Sequence, residues 1–297
     1  MGDPCRRLLM AELSADYLFV QLNFGFLRIK YSLMKKHSLI RPTETDFLSE
    51  NYDVASEEAP SKTLIICSAP RSGSNELCRF LLAAGLGIPF EYFNPVFIPV
   101  LAQRWQALGS EPNSIDIEAY INALRVKRSA NGVLAVKVQY SDFERFLRNR
   151  AGEALFDGAL VIHLFRPDAV AQFESFYYAN ETGRWDYTEA RTTAPKQLSN
   201  LSPVQIRDLM EAVLMDDGRL RILFTMLGIR PFFLSMDDLF AEPKLAVNRI
   251  AQAFGSPLNE ERLDEAIAVS KRYSRASRNG NCSDSIRDLF KPIVFRR

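Results

Sequence analysis

Four short runs of the chain are apolar at nearly every position: TLIICSA (63–69), GVLAVKV (132–138), ALVIHLF (159–165) and IRPFFLS (229–235). A strand with one face in water alternates apolar and polar side chains, so a run without that alternation reads as a strand buried on both faces. These runs alternate with helical stretches at about 76–85, 114–129, 141–150, 168–180, 203–227, 243–254 and 259–273. Buried strands spaced by helices predict an α/β fold in three layers, with a mainly parallel central sheet covered on both sides. Ligands of such sheets sit beyond the carboxyl ends of the strands, which directs attention to the turns after 63–69 and 159–165.

The first sixty residues have a different texture. Basic residues precede an apolar segment that charged and polar residues interrupt well short of a membrane span, and no small-residue cleavage site follows, so neither a transmembrane segment nor a signal peptide is expected. Leu18 to Lys36 read as an amphipathic helix that packs on the domain or lies on a membrane surface, packing being the commoner use. Residues 41–62 are polar and acidic and read as a linker. The expected division is therefore an N-terminal extension and linker over 1–62 and one domain over 63–297.

Composition narrows the functional classes. A formal net charge of +1 provides no global basic field to draw the chain onto nucleic acid, so any anion must be held by a local cluster. The four cysteines form no C-x-x-C pair and no zinc spacing, and a reduced, cytoplasmic chain is the simplest expectation.

The local cluster is found at APRSGSNEL, where the first strand gives way to a helix. Arg71, Ser72, Gly73, Ser74 and Asn75 can turn their backbone N–H groups toward one place, at the positive end of the helix dipole. Gly73 permits close approach of a ligand to the backbone, and Arg71 adds a planar fork of donors suited to phosphate or sulfate. An ordinary capped strand-to-helix turn would use the same residue types without any ligand. A Walker loop is excluded, because no glycine stands four or five residues ahead of Gly73 and no lysine follows it. Cys67 is too close to Arg71 to be the nucleophile of a phosphatase loop. In VIHLFRPDAVAQFESFYYANETGRW (161–185) a second strand enters a second polar turn. Arg166 stands at the strand end, Pro167 suits the first helical position, and Ser175 lies on the helix beyond. Arg166 is placed to meet a second phosphate or, more blandly, to pair with Asp168.

Together the two stretches resemble the nucleotide-binding signatures of the bacterial carbohydrate sulfotransferases typified by trehalose 2-sulfotransferase. The similarity continues through FEYFNP (90–95), AVKVQY (135–140) and FFLSMDDLFAEPKLAVNRIAQAFG (232–255), and covers roughly 63–280. The resemblance implies a sulfotransferase fold related to nucleotide kinases and a donor, 3′-phosphoadenosine 5′-phosphosulfate. It assigns Arg71, Ser72, Gly73, Ser74 and Asn75 to the 5′-phosphosulfate, and Arg166 with Ser175 to the 3′-phosphate. Asn75 stands where the family usually has threonine. Lys271 to Asn281 match the nucleotide-closing loop less clearly, and a solvated basic helix end explains Arg275 and Arg278 equally well.

Sulfuryl transfer to a hydroxyl needs a base near the acceptor oxygen and donors near the bridging oxygen, and its chemistry calls for no metal. His37 lies in the extension, and His163 lies in an apolar strand, where a core role is simplest. Glu91, in IPFEYFNP, is the candidate base: aromatic neighbours would desolvate it and raise its pKa, and although a surface carboxylate in a loop is the blander reading of the residues alone, the resemblance places the family's proposed base there. Lys137 is either a charge stabiliser or a strand-end lysine in solvent. Tyr92, Phe93, Phe97, Tyr177, Tyr178, Trp185 and Tyr187 suit sugar faces or the core, and 186–200 is long enough to be a lid. The resemblance favours a carbohydrate or glycolipid hydroxyl as acceptor. Apolar surface on the extension makes a homodimer an expectation too. The rival readings are a small-molecule kinase, which would need magnesium and ATP, and a nucleotide-binding protein that has lost transfer, which Asn75 keeps open.

Overall fold

The computed structural model describes residues 44–54, 60–112, 114–147, 150–185 and 201–277. The amphipathic stretch 18–36, the lid segment 186–200, His37, Tyr187 and Arg278 lie outside these residues. The described residues belong to one compact unit.

Five strands form one sheet: β1 Lys62–Ser68, β2 Ser129–Ala130, β3 Val133–Val138, β4 Leu160–Phe165 and β5 Phe232–Ser235, in the order β2-β3-β1-β4-β5. The four apolar runs all become strands, and all four run parallel, β1 pairing with β3 and β4, and β4 with β5. The short β2 is antiparallel to β3 and was not expected, since 114–129 read as helix throughout.

The α-helices of the described residues are α1 Glu44–Phe47, α2 Ser74–Ala83, α3 Ile98–Arg104, α4 Ile117–Lys127, α5 Tyr140–Leu147, α6 Arg150–Phe156, α7 Ala169–Thr182, α8 Pro203–Leu227, α9 Met236–Ala241, α10 Pro243–Phe254 and α11 Glu260–Ser277. The short helices α3 and α9 left no sequence signal, because one or two turns do not establish a helical period. Nor were α1, inside the expected linker, and α6, beyond the helix expected at 141–150, anticipated; α2, α4, α5, α7, α8, α10 and α11 fall where the periodicity placed them. The end of α8 is fixed by Gly228 in the left-handed region, and its start by a capping box between Ser202 and Gln205.

The double burial of the strands is visible as two cores. On one face Ile65, Cys67, Leu134, Val136 and Val161 pack with Tyr120, Leu124, Phe143, Leu220 and Phe224 of α4, α5 and α8. On the other Leu64, Ile66, Ala135, Ile162 and Leu234 pack with Leu77 and Leu81 of α2, Val247 and Ile250 of α10, and Leu263 of α11. Successive strand residues feed opposite cores, which is why β1 from Leu64 to Ser68 and β3 from Val133 to Val136 are apolar or small at every position.

Residues 44–54, polar enough to read as linker, pack on the domain. Phe47 and Tyr52 are buried, with Phe47 stacked on Phe90 at 4.8 Å between ring centroids. Arg128, fully buried, donates to the carbonyls of Phe47 and Ser49, and Arg104 donates to that of Leu48. Asp53 pairs with both arginines, at 2.9 Å from Arg104 and 3.0 Å from Arg128.

Candidate active site

From β1 the chain moves to β3 on one side and then returns to β4 on the other, so the topological switch lies between β1 and β4. The registered pair Ser68↔Leu164 sets the two carboxyl ends side by side, which brings the turns 69–73 and 166–168 together at the one place in the sheet where a crevice opens.

The first turn is shaped by left-handed residues at Arg71 (φ 64°) and Gly73 (φ 88°). Such a sequence of conformations turns N–H groups toward one side, the geometry of an anion-binding nest. At Arg71 the conformation carries a strain of roughly 1–3 kcal/mol, of the kind that collects at ligand clamps. Gly73 is the N-cap of α2 and has no side chain to satisfy the first-turn N–H groups, which leaves those of Ser74 and Asn75 for an anion. A Cβ at Gly73 would stand 3.1 Å from Phe240 and 3.2 Å from Met236, so α9 is packed directly on the turn. The Ser72 hydroxyl is buried and donates to the Ala69 carbonyl at 2.9 Å, so only its backbone amide is left to meet an anion there.

The second turn interlocks with the first. Arg71 Nε donates to Ser175 Oγ at 2.9 Å, and another guanidinium nitrogen of Arg71 donates to the Trp185 carbonyl. Arg166 donates to the Arg71 carbonyl at 3.3 Å, and Gln172, unnoticed in the sequence, donates to that of Pro70 at 2.8 Å. Pro167 is not the first helical residue, because Asp168 takes the N-cap position and accepts from Ala171 N at 3.0 Å. A carboxylate that closes a helix start is the stronger local solution, and it moves the helix two residues along.

Beside the first turn stands an ion pair. Phe90 forms an isolated parallel bridge with Val136, at the edge of β3, and this sets the next residue, Glu91, beside Lys137. The two side chains form a salt bridge, and Lys137 also donates to Asn75 Oδ1 at 2.5 Å. Lys137 is buried rather than in solvent. Asn94 donates to Glu91 Oε2 at 2.8 Å, an i,i+3 support that sequence reasoning missed in FNP.

The expected elevation of the Glu91 pKa is overturned. Burial raises it, but the Lys137 ammonium and hydrogen bonds from Lys137, Asn94 and Gln139 outweigh burial and hold the carboxyl below its usual range. If Glu91 is the base, the acidic limb of the pH–rate profile falls below that range, since the base works deprotonated. Lys137→Met removes the attraction and keeps the burial, so the limb moves upward; a limb that stays in place would separate Glu91 from the rate.

The remaining candidates separate cleanly. Tyr92, Phe93, Phe97 and Tyr177 are buried in the cores and offer no face to a sugar, whereas Trp185 is exposed and packs edge-on to Phe176 at 5.8 Å. His163 is fully buried between Phe224 and Phe233 and lies 2.8 Å from Asp217, as a core residue. Burial pushes the Cys78 thiol up to about 12 and the Cys67 thiol well above its ordinary range, so neither is a nucleophile. Arg275 lies on the last turn of α11. Among the described residues no helix is long and apolar enough to cross a membrane.

With two cationic turns meeting at the switch point and a carboxylate beside them, the comparison with known families is decisive. The family model described as Stf0 sulphotransferase matches residues 63–280. The chain belongs to the Stf0 sulphotransferase family. Both interlocked turns, Glu91 and Lys137 fall within the matched span, which makes the protein a sulfotransferase with a sulfate donor and an acceptor substrate. A similar solved structure is the sulfotransferase domain from the Synechococcus PCC 7002 olefin synthase, with 20% identity, a TM-score of 0.44, and coverage of 71% of this chain and 78% of that one. Curated proteins yield no significant match.

Proposed function

We propose that the enzyme transfers a sulfuryl group from 3′-phosphoadenosine 5′-phosphosulfate to a hydroxyl of a carbohydrate or glycolipid, with Glu91 as general base. The observation that carries this reading is the junction of the two turns: the left-handed nest at 71–75 and Arg166 are linked through the Arg71 carbonyl, so one ligand with two separated anionic groups can span both. The nest and the dipole of α2 take the phosphosulfate. Arg166 and Ser175 take the 3′-phosphate.

In the transfer, the acceptor oxygen attacks sulfur in line as the bond from sulfur to the bridging oxygen breaks. The electron pair stays on that oxygen, and the bisphosphate leaves. Glu91 receives the hydroxyl proton. Lys137, already within reach of Asn75 on the nest helix, can turn to the bridging oxygen as charge develops there. The amide of Asn75 thus has a task in this site, which supports active transfer over a binding-only role. The buried free thiols of Cys67 and Cys78 fit a reducing compartment, the cytoplasm.

Isothermal titration with 3′-phosphoadenosine 5′-phosphate, in parallel with ATP and magnesium, tests the donor. Micromolar binding of the bisphosphate without metal is expected, and its absence would end the donor assignment. ATP binding that requires magnesium would promote a kinase in its place. Arg166→Ala should weaken the bisphosphate by roughly 1.5–3 kcal/mol, the worth of a charge-assisted hydrogen bond, or roughly 10- to 150-fold. Unchanged affinity in that variant removes Arg166 from the site.

A further inference from the structure

In the turn that follows Glu91, every polar group of one residue is engaged. The Asn94 N–H donates to the Glu91 carbonyl at 3.1 Å and closes the turn, and the Asn94 carbonyl accepts from Phe97 and Ile98 at 2.9 and 3.1 Å, which starts α3. Its side chain is held at both ends. Oδ1 accepts from Val96 N at 3.0 Å, and Nδ2 donates to Glu91 Oε2 at 2.8 Å. Asparagine before proline favours such a turn, because the short amide reaches the backbone two residues on while Pro95 fixes the φ between them.

These partners leave the amide a single orientation. A backbone N–H only donates, so the Asn94 oxygen must face Val96 and its NH2 group must face Glu91. The Glu91 carboxylate is therefore held from two elements: Lys137 of β3 grips Oε1, the turn grips Oε2, and Gln139 adds a further hydrogen bond from just past β3.

The two grips differ in permanence. Lys137 also reaches Asn75 Oδ1, and in the proposed transfer it turns to the bridging oxygen. Asn94 is tied to the backbone of the turn that carries Glu91, so it stays when Lys137 moves. As the ammonium leaves, it takes with it the two largest effects that oppose burial of the carboxylate. A hydrogen bond donated to the charged form is then what preserves both the anion and its direction.

Resting on the reading of Glu91 as base, we propose that Asn94 is its positioning residue: the turn-locked amide holds Oε2, so the carboxylate stays aimed at the acceptor hydroxyl while Lys137 serves the leaving oxygen. The other oxygen, Oε1, is freed as Lys137 turns away, and it receives the proton.

Asn94→Asp separates this role from upkeep of the turn. The aspartate still accepts from Val96 N, so the fold persists, but its second oxygen meets Glu91 as a like charge. Carboxyl NMR of protein labelled at its glutamate side chains, with the Glu91 signal identified by its loss in Glu91→Gln, follows ionisation without any acceptor. Lys137 is the charged group facing that carboxyl, and the buried Cys78 thiol of α2 stays neutral over the range that matters. The Glu91 midpoint should move upward in Asn94→Ala, which lacks the donor, and further in Asn94→Asp. Turnover is read with labelled donor and two probe acceptors, trehalose and octyl glucoside. There kcat should fall roughly 10- to 100-fold in Asn94→Ala and more in Asn94→Asp, with acceptor KM and bisphosphate affinity at wild-type values. In the Glu91→Gln background, Asn94→Ala should cost nothing further, because Asn94 acts only through Glu91.

An Asn94→Asp variant that keeps the wild-type midpoint and kcat overturns the inference and leaves the reading of Glu91 standing. A loss from Asn94→Ala that is just as large in the Glu91→Gln background overturns it too, by giving Asn94 a structural part alone. Wild-type turnover in Glu91→Gln defeats the reading of the base itself, and the inference with it.

Discussion

Glu91→Gln lowers turnover by roughly 10²–10⁴-fold while donor affinity stays at the wild-type level or rises slightly. The amide keeps the shape and the hydrogen bond from Asn94 but has no lone pair basic enough to take the hydroxyl proton. In the proposed function the nest and Arg166 hold the donor, so binding is preserved, and the loss of one anion beside that site works in favour of affinity. Single-turnover transfer of labelled sulfuryl groups, run beside calorimetry, separates the two effects. A fall in kcat and kcat/KM together marks an interaction made in the transition state. Wild-type turnover in this variant would falsify the assignment of the base and direct the search to another group near Lys137.

Asp53→Ala has the largest expected effect on stability, a loss of about 3 kcal/mol. The substitution leaves Arg128, fully buried, and Arg104 facing each other without the carboxylate that both contact, and takes an acceptor from Trp105. Because Asp53 keeps some access to water, the effect sits at the lower end of the range for a broken buried pair. For a domain of this size it corresponds to a melting temperature lower by roughly 6–12 °C. The local consequence is release of residues 44–54 from the Tyr92 side of the site, since Arg128 also lies over the Tyr92 ring at 5.8 Å. Differential scanning calorimetry reads the shift. An unchanged melting temperature would mean that 44–54 contribute nothing to the fold, whatever their contacts.

The sequence carried the strands and most helices because those signals are local. Buried strands of a parallel sheet must be apolar on both faces, and the helical periods around them repeat over several turns. The two candidate turns were legible for the same reason, each being a short polar arrangement with an arginine between a strand and a helix. The elements that escaped are those with little local signal: β2, which pairs with β3, the short helices α3, α6 and α9, and the segment 44–54, held by arginines far along the chain.

At the site, sequence alone selected Arg71, Gly73, Asn75, Arg166, Ser175 and Glu91, but the relations among them belong to the tertiary structure. Strand order set β1 beside β4 and joined the turns. The bridge between Phe90 and Val136 set Glu91 against Lys137 and so reversed the direction of its pKa shift, because the field of one buried ammonium and its hydrogen bonds outweighs the burial that aromatic neighbours were expected to impose. Residue types declare which chemistry is available. Which charge stands next to which is decided by contacts between residues far apart in the chain, and only the packed fold brings those together.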